Sequence, residues 1–214
     1  MWCLVTLSRS LRTKEEVVKD FRTGEILDAA RRVIADLGYA EASMERIAQN
    51  AGVAKGTLYL YFKNKETLLA RAFEDDLSEF MSRAQEATRR ARGPTEKLRE
   101  VVRMALEHAA QNHAFFQAIR ELSPLGSDAS TLYSDTLLEQ VESYLDFVAS
   151  VIERGIRAGK FRKLDSLRAA RFLTELVRGA TIARLSEPHP PPVEEDVETT
   201  LDFFLHGVGA GDRR

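Results

Sequence analysis

Apolar residues recur at helical spacing along most of the chain, and no stretch alternates apolar and polar residues for long. The first regular run covers about residues 22–37, and Gly38 follows it at a position where a helix commonly stops. The apolar face of this run consists of Ile26, Ala30, Val33, Ile34 and Leu37. The pattern as a whole predicts an all-α protein with about nine helices.

Two short amphipathic helices follow, joined by a tight turn. Ser43 can cap the first of them, and Asn50-Ala51-Gly52 separates it from a second helix over about residues 54–61. The apolar positions of the pair are Met44, Ile47, Ala48, Val53, Leu58 and Phe62. Two helices joined by a short turn with a glycine predict a helix-turn-helix, whose second helix enters the major groove of DNA.

The remaining apolar stripes predict a run of further helices. Gly93-Pro94 marks a break, with proline at a favourable first helical position, and Ser123–Ser127 marks a loop. The proline-rich segment Pro188–Pro192 rigidly ends the helix before the last one. The predicted ranges are about 64–90, 94–111, 113–122, 129–158, 165–186 and 193–207.

Charge is unevenly distributed along the chain. The net charge is −2, yet residues 1–71 hold 12 Lys and Arg against 9 Asp and Glu. This asymmetry favours an N-terminal part that faces DNA. Residues 1–20 form an arm with two open interpretations: a frayed, solvated terminus, or a basic extension that touches phosphate or the minor groove.

The N-terminal segment and the cysteine content bear on the compartment. The single cysteine, Cys3, excludes an internal disulfide framework and fits a reducing environment. Arg9 and Arg12 follow the first apolar run, which is the opposite of the order in a signal peptide. No apolar run approaches the length of a membrane span. We therefore expect a cytoplasmic protein that does not contact a membrane.

The segment Gly52–Glu66, with the helix Ser43–Ala48 before it, resembles the DNA-binding region of the TetR family of bacterial transcriptional repressors. The helix Ile26–Gly38 lies at the proper distance, which makes the match specific. Ile156–Arg162 is also similar to a common turn of the family, while the rest of the chain beyond residue 80 is similar only in architecture. The C-terminal domains of this family diverge, and each tends to have its own ligand.

The resemblance implies a three-helix DNA-binding head with a helix-turn-helix, followed by a helical ligand-binding and dimerisation domain. We accordingly divide the chain into the arm over residues 1–20, a helix-turn-helix DNA-binding domain over 21–67, and a ligand-binding and dimerisation domain over 68–210. The fourth predicted helix connects the two domains.

Seven residues are candidates for contacts with double-stranded DNA. Lys55 can reach guanine acceptors or a phosphate, and Gly56 lets the backbone approach the duplex closely. Tyr59 combines a flat ring, suited to a sugar or a thymine methyl, with a hydroxyl for phosphate. The complete set is Ser43, Lys55, Gly56, Thr57, Tyr59, Tyr61 and Lys65, the last of which matches a family position that grips the DNA backbone.

Two nearby positions qualify this picture. Ala54 stands at the start of the recognition helix, where family members usually carry Ser or Thr; the missing cap typically costs about 1 kcal/mol. Glu45 either interacts with the dipole of its helix or accepts a hydrogen bond from cytosine N4. Both interpretations of Glu45 remain open from the sequence.

A second copy of the chain is a predicted partner, because one short recognition helix reads few base pairs and a two-fold dimer meets a palindrome. The eighth and ninth helices are the predicted interface and would pair as a four-helix bundle. The candidate interface residues are Leu173, Leu176, Val177, Ala180, Ala183, Val197, Leu201, Phe204 and Leu205. The alternative is that both stripes pack within one chain.

Aromatic side chains are frequent among the helices from the fourth to the eighth. They suggest an internal site for a small apolar or aromatic effector, although ordinary core packing is the alternative at every position. The candidates for its wall are Phe80, Met104, His108, Phe115, Phe116, Tyr144, Phe147 and Phe172. No spacing of His, Glu or Asp suggests a metal pair, and we predict neither a metal nor a cofactor.

The sequence thus predicts a ligand-responsive regulator, a homodimeric repressor that binds a palindromic operator and is released when an effector tilts the fourth helix. An activator or a dual regulator on the same scaffold is an alternative that the sequence does not separate from it. A helical-bundle carrier of small molecules, or an enzyme, is the rival from another class. We expect no enzyme, because no Gly-rich phosphate loop, nucleophile elbow or paired-carboxylate motif occurs.

Overall fold

The structure is a computed structural model that describes residues 13–122 and 134–208. Within these ranges the chain forms nine α-helices and no β-strand. The helices are α1 (Lys14–Glu41), α2 (Met44–Asn50), α3 (Lys55–Tyr61), α4 (Lys65–Arg90), α5 (Gly93–Gln111), α6 (His113–Leu122), α7 (Asp135–Arg157), α8 (Ser166–Ser186) and α9 (Val193–Val208). The predicted loop Ser123–Ser127, the predicted start of the seventh helix and most of the arm lie outside the described residues.

The first helix is longer than its apolar stripe. It begins at Lys14 rather than near residue 22, because Thr13 accepts from the backbone of Glu16 while the Glu16 side chain accepts from the backbone of Thr13. Such a reciprocal capping box starts a helix without any buried face. Residues 14–20 of the predicted arm are therefore helical. Gly38, with φ of 75°, ends the regular part of α1 as predicted.

The first three helices and the start of α4 enclose one core. α1 packs against α2, α4 and α6, and α2 packs against α3. The largest fully buried side chains of this core are Ile26, Leu27, Ile34, Ile47, Leu58, Leu68 and Leu69. Phe115 and Ala118 of α6 join the same core, so a helix of the C-terminal part supports the N-terminal one.

A second core lies among α5, α7, α8 and α9. Its fully buried side chains include Leu98, Leu106, Ile152 and Leu173. The turn after α7 closes tightly: the backbone N–H groups of Lys160 and Phe161 both donate to the carbonyl of Gly155. Among the helices that the structure describes, none is both long enough and apolar enough to cross a membrane.

The long helix α4 connects the two cores. It packs against α1 at one end and against α5 and α7 further along. Arg31 of α1 donates to the Asp75 carboxylate at 2.8 Å and to the backbone carbonyl of Ala72 at 3.1 Å. The Arg31 side chain is mostly buried and that of Asp75 is partly exposed, so these bonds join α1 to α4 at the edge of their contact.

Candidate functional sites

The turn between α2 and α3 fixes the orientation of the two helices. Ala51 N donates to Ile47 O at 2.9 Å, and Val53 N donates to Ala48 O at 3.0 Å across the turn. Gly52 has φ of 67°, a conformation that costs glycine little and other residues more. Leu58, which is fully buried, then anchors α3 against the head core.

The outer face of α3 is open to a partner. Lys55, Gly56 and Tyr59 are exposed, whereas Thr57 and Tyr61 are half-buried. A Cβ at Gly56 would meet no atom within 4 Å, so the backbone here is uncovered. Five of the predicted DNA-contact residues therefore lie on one short helix, and three of them are exposed.

Leu60 belongs to this face and was absent from our prediction. Its side chain is 85% exposed, the most exposed of the large apolar side chains in the described residues. The signal was present in the sequence: Leu60 lies two positions, or about 200° of helical rotation, from the core residue Leu58. An apolar side chain on this face suits contact with a thymine methyl group.

The ends of the helix pair are held as the sequence predicts. The Ser43 hydroxyl accepts from Arg46 N at 3.2 Å and caps α2, and it also forms a side-chain hydrogen bond with the Glu45 carboxylate. Ala54 makes no side-chain cap bond at the start of α3, and the expected weakness there stays a prediction.

Lys65 has an internal partner that the sequence did not predict. Its ammonium donates to the Tyr39 carbonyl at 2.7 Å and lies 3.9 Å from the centre of the Tyr39 ring. The start of α4 is thereby fastened to the end of α1. An ammonium has three N–H donors, so a phosphate can still be bound by those that remain.

Lys55, the predicted base-reading residue, forms an ion pair with Glu45 of α2. Both side chains are 55% exposed, so the pair lies on the surface. The hydrogen bond from Lys55 lowers the pKa of Glu45, and the same bond raises the pKa of Lys55. The Lys55 ammonium also lies 6.0 Å from the centre of the Tyr59 ring.

Most of the predicted effector wall comes together between α4, α5, α6 and α7. The rings form a continuous series: Phe147–Tyr144 at 6.5 Å between centroids, Tyr144–Phe80 at 5.8 Å, Phe80–His108 at 5.3 Å, His108–Phe116 at 5.6 Å and Phe116–Phe115 at 6.3 Å. Met104 packs against the cluster that contains Phe80, in the middle of this series. Burial raises the pKa of Tyr144 above the ordinary value of a phenol.

Phe172 is the member of the predicted wall that lies elsewhere. Its side chain is 61% exposed on the outer face of α8, so it does not line the interior, and our prediction for it was wrong. α8 is apolar on more than one side, and the neighbouring Leu173 is the residue that faces the core. Phe172, Leu176 and Phe203 instead line a surface groove of about 530 Å³.

The predicted dimer interface also requires correction. Leu173, Val197, Leu201 and Phe204 are buried inside a single chain, where they pack in the core with α5 and α7, and were wrongly placed at an interface. Val177, Ala180 and Leu205 are half-buried against the same core. Only Leu176 and Ala183 of the predicted set are exposed.

Two buried acids on α4 escaped the sequence-based prediction. The Asp76 carboxylate lies 2.8 Å from Nε2 of His108, and Glu74 pairs with Arg71 and accepts from the Ser134 hydroxyl. Asp76 lies on the buried stripe of α4 between Ala72 and Phe80. A carboxylate on such a stripe needs a partner, which was the available signal.

Comparison with known proteins gives consistent results. The family model described as bacterial regulatory proteins, tetR family, matches residues 26–72. The fatty acid metabolism regulator protein of Bacillus subtilis is 32% identical over 69% of this chain and 74% of its own length. The transcriptional repressor KstR2 of Mycolicibacterium smegmatis is 28% identical over 72% of this chain and 75% of its own.

A solved structure extends the similarity over both cores. The transcriptional regulator FadR of Bacillus subtilis, crystallised in complex with stearoyl-CoA, has a TM-score of 0.71 and 28% sequence identity. The match covers 86% of this chain and 98% of the FadR chain. The similarity therefore includes the helices that carry the aromatic series as well as the helix-turn-helix.

Proposed function

Because this chain belongs to the TetR family of bacterial regulatory proteins and is a ligand-responsive transcriptional regulator, we propose that it represses transcription as a homodimer and leaves its operator when a long-chain acyl thioester binds. One observation carries the proposal, namely that α4 belongs to both parts of the molecule. Its first turns pack in the core that supports the exposed recognition helix, and further along the same helix Phe80 belongs to the aromatic series. We keep the division between the two functions near residue 67, in the first turn of α4, although Leu68 and Leu69 beyond it still pack in the head core.

The DNA-binding surface is the exposed side of α3 with the start of α2. Lys55, Tyr59 and Leu60 approach base edges, and Gly56 permits that approach. Ser43, Thr57, Tyr61 and Lys65 bind phosphate or sugar and hold the head in register. An operator of two half-sites about 34–36 Å apart, or a multiple of this distance, suits such a head in a two-fold dimer.

The dimer forms through the outward side of α8 and α9. The exposed apolar residues Phe172, Leu176 and Phe203 lie together there, at the groove of about 530 Å³. Isolated exposed apolar residues are common, but a continuous apolar patch marks an interaction surface. Burial of the same patch by a second copy gives the self-complementary contact of a two-fold interface.

The effector is bound along the aromatic series. Phe80, Met104, Tyr144 and Phe147 offer apolar surface to a hydrocarbon chain, in keeping with the stearoyl-CoA bound by the similar regulator FadR. A groove of about 350 Å³ between α4 and α7 lies beside Met81, which packs with Phe80. The hydroxyl and amide side chains of that groove suit the polar part of a thioester ligand.

Release of the operator follows from the position of the aromatic series between α4 and α5. An acyl chain that separates α4 from α5 must displace Phe80, and Arg31 transmits the movement of α4 to α1. The effector therefore favours a spacing of the two heads that no longer fits the operator. This is a shift of populations, and it needs tighter effector binding in the released state than in the bound one.

Selection of bound fragments from the source genome tests the proposal. The dimer should retain a palindrome in a salt-sensitive manner, and stearoyl-CoA should release it while CoA alone should not. If no duplex is preferred at any salt concentration, the regulator is not a direct reader of DNA sequence. If CoA releases the operator as well as stearoyl-CoA does, the acyl chain is not the recognised group.

A reporter gene distinguishes the direction of regulation. With the selected operator between promoter and reporter, the wild-type protein should lower expression, and a fatty acid supplied to the cells should restore it. Higher expression in the presence of the protein would instead identify an activator on the same scaffold.

A further inference from the structure

The ion pair between Glu45 and Lys55 bridges α2 and α3 at the surface that faces DNA. Glu45 lies in the first turn of α2 and Lys55 is the first residue of α3. The two helices are otherwise joined by the short turn around Gly52. The pair thus places a carboxylate next to the predicted base-reading ammonium.

A carboxylate at this position is unfavourable for general DNA binding. It repels the phosphate backbone, and it neutralises a lysine that would otherwise bind phosphate. The fold does not require it, because the Ser43 hydroxyl already caps α2 and an exposed ion pair contributes little to stability. An interaction with the dipole of α2 accounts for a carboxylate in the first turn, but not for its contact with Lys55 on the surface that faces DNA.

The two groups together present a hydrogen-bond pattern. Lys55 offers N–H donors and Glu45 offers acceptors, and the two groups are in direct contact. In the major groove a G·C pair presents guanine N7 and O6 as acceptors and, beside them, the N4 amino group of cytosine as a donor. An A·T pair presents one acceptor, adenine N7, and then the adenine N6 amino group as a donor. The O4 acceptor and the methyl group of thymine follow.

We propose that Glu45 and Lys55 read one G·C pair in each half-site together, with Lys55 donating to guanine and Glu45 accepting from cytosine N4. This inference rests on the proposed DNA-binding function and adds the chemistry of one operator position. Contact with Glu45 already restricts the flexible lysine side chain, which reduces the entropy lost when it binds guanine.

The same pair lowers binding to other sequences. On a duplex without the matching G·C pair, Glu45 finds no cytosine amino group to accept from and meets phosphate repulsion, while Lys55 stays paired with Glu45 and is neutralised. Specificity then comes from a penalty on wrong sites as well as from a contact at the right one.

Four proteins test the proposal: the wild type, Glu45→Met, Lys55→Met and the double variant. Glu41→Met is the matched control, since Glu41 is an exposed residue of the same head and its loss changes the charge equally. Dissociation constants are measured against the selected operator, against operators with each G·C pair changed in turn, and against a random duplex over a range of salt concentrations.

At one G·C position the wild type should discriminate by about tenfold or more, and Glu45→Met should lose most of that discrimination. On random DNA, Glu45→Met should raise the slope of log Kd against log salt by about 1, because Lys55 becomes free to bind a phosphate. The effects of the two single variants on discrimination should not add, since each removes half of one contact.

Equal changes for Glu45→Met and Glu41→Met on every duplex would show that Glu45 acts only through net charge, and would overturn the proposal. Unchanged base preference in Glu45→Met would do the same while leaving the regulator function intact. Failure of the wild type to prefer any duplex would instead remove the function on which this inference rests.

Discussion

Asp76 Oδ2 lies 2.8 Å from His108 Nε2, and this contact joins α4 to α5 where both side chains are buried. On the other side of the ring, Nδ1 lies 3.2 Å from the Asn112 amide nitrogen and 3.4 Å from an Arg83 nitrogen. Arginine only donates hydrogen bonds, so Nδ1 accepts and Nε2 carries the hydrogen that is donated to Asp76. The ring also stacks on Phe80, which places this polar contact inside the aromatic series that is the predicted effector wall.

Removing the carboxylate should destabilise the fold. Asp76→Ala leaves the buried Nε2–H of His108 without an acceptor, and the free energy of unfolding should fall by about 2–3 kcal/mol in urea titrations. Glu79→Ala, an exposed change on the same helix, should alter it by less than about 0.5 kcal/mol. In a double-mutant cycle with His108→Ala, simple additivity would show that the two side chains do not stabilise each other.

Two glycines give a paired test of packing. A Cβ at Gly155 would lie 2.1 Å from Cδ2 of Phe161, whose ring is buried against α7. Gly155→Ala should therefore lower the free energy of unfolding by about 2 kcal/mol or more. Gly24→Ala in α1 meets no atom within 4 Å and should stabilise by about 0.5–1 kcal/mol. Thermal unfolding of both variants measures these changes. If Gly155→Ala did not lower the free energy of unfolding, the described turn would be contradicted.

Leu60 offers a chemical test of the recognition face. Leu60→Ala should leave stability unchanged, because the side chain is exposed, but should weaken operator binding by about fivefold through loss of a thymine-methyl contact. Operators with uracil in place of thymine, one position at a time, should weaken the wild type at one position and leave Leu60→Ala unaffected there. Leu138→Ala, an exposed leucine on α7, serves as the control.

The exposed patch on α8 and α9 should control the oligomeric state. Phe203→Glu and Leu176→Glu place charge in the proposed interface and should convert the dimer into a folded monomer in sedimentation equilibrium. Phe21→Glu, at a similarly exposed phenylalanine on α1, should remain dimeric. A dimer that survives both interface changes would place the contact elsewhere. Loss of operator affinity should accompany dissociation, since a monomer reads one half-site.

Periodicity alone located most of the helices. The apolar stripes of α2 to α6, α8 and α9 agree with the observed ranges to within a few residues, because burial of one face is what these helices need to be stable. The start of α1 differs for a reason that periodicity does not detect. The capping box of Thr13 and Glu16 begins the helix where Val17, Val18 and Phe21 are exposed.

Sequence was less informative about which apolar face turns inward. On α8, Phe172 and Leu173 are adjacent in sequence, yet one is exposed and the other is in the core. Both satisfy an apolar stripe, and only the packing of α8 against α5 and α7 decides between them. The pairs Glu45–Lys55 and Asp76–His108 likewise depend on how helices are placed in space. Candidate residue types could be predicted, but their partners could not.

Arg31 bonds to Asp75 and to the Ala72 carbonyl, and these bonds fix the DNA-binding head to the N-terminal part of α4. A helix of 26 residues is about 39 Å long. A tilt of about 5° about its far end therefore carries the head through about 3 Å, roughly the rise of one base pair. In a two-fold pair the displacements of the two heads add. In the proposed release mechanism, a small movement of the side chains around the effector is therefore enough. It changes the spacing of the two recognition helices so that they no longer match successive major grooves of the operator.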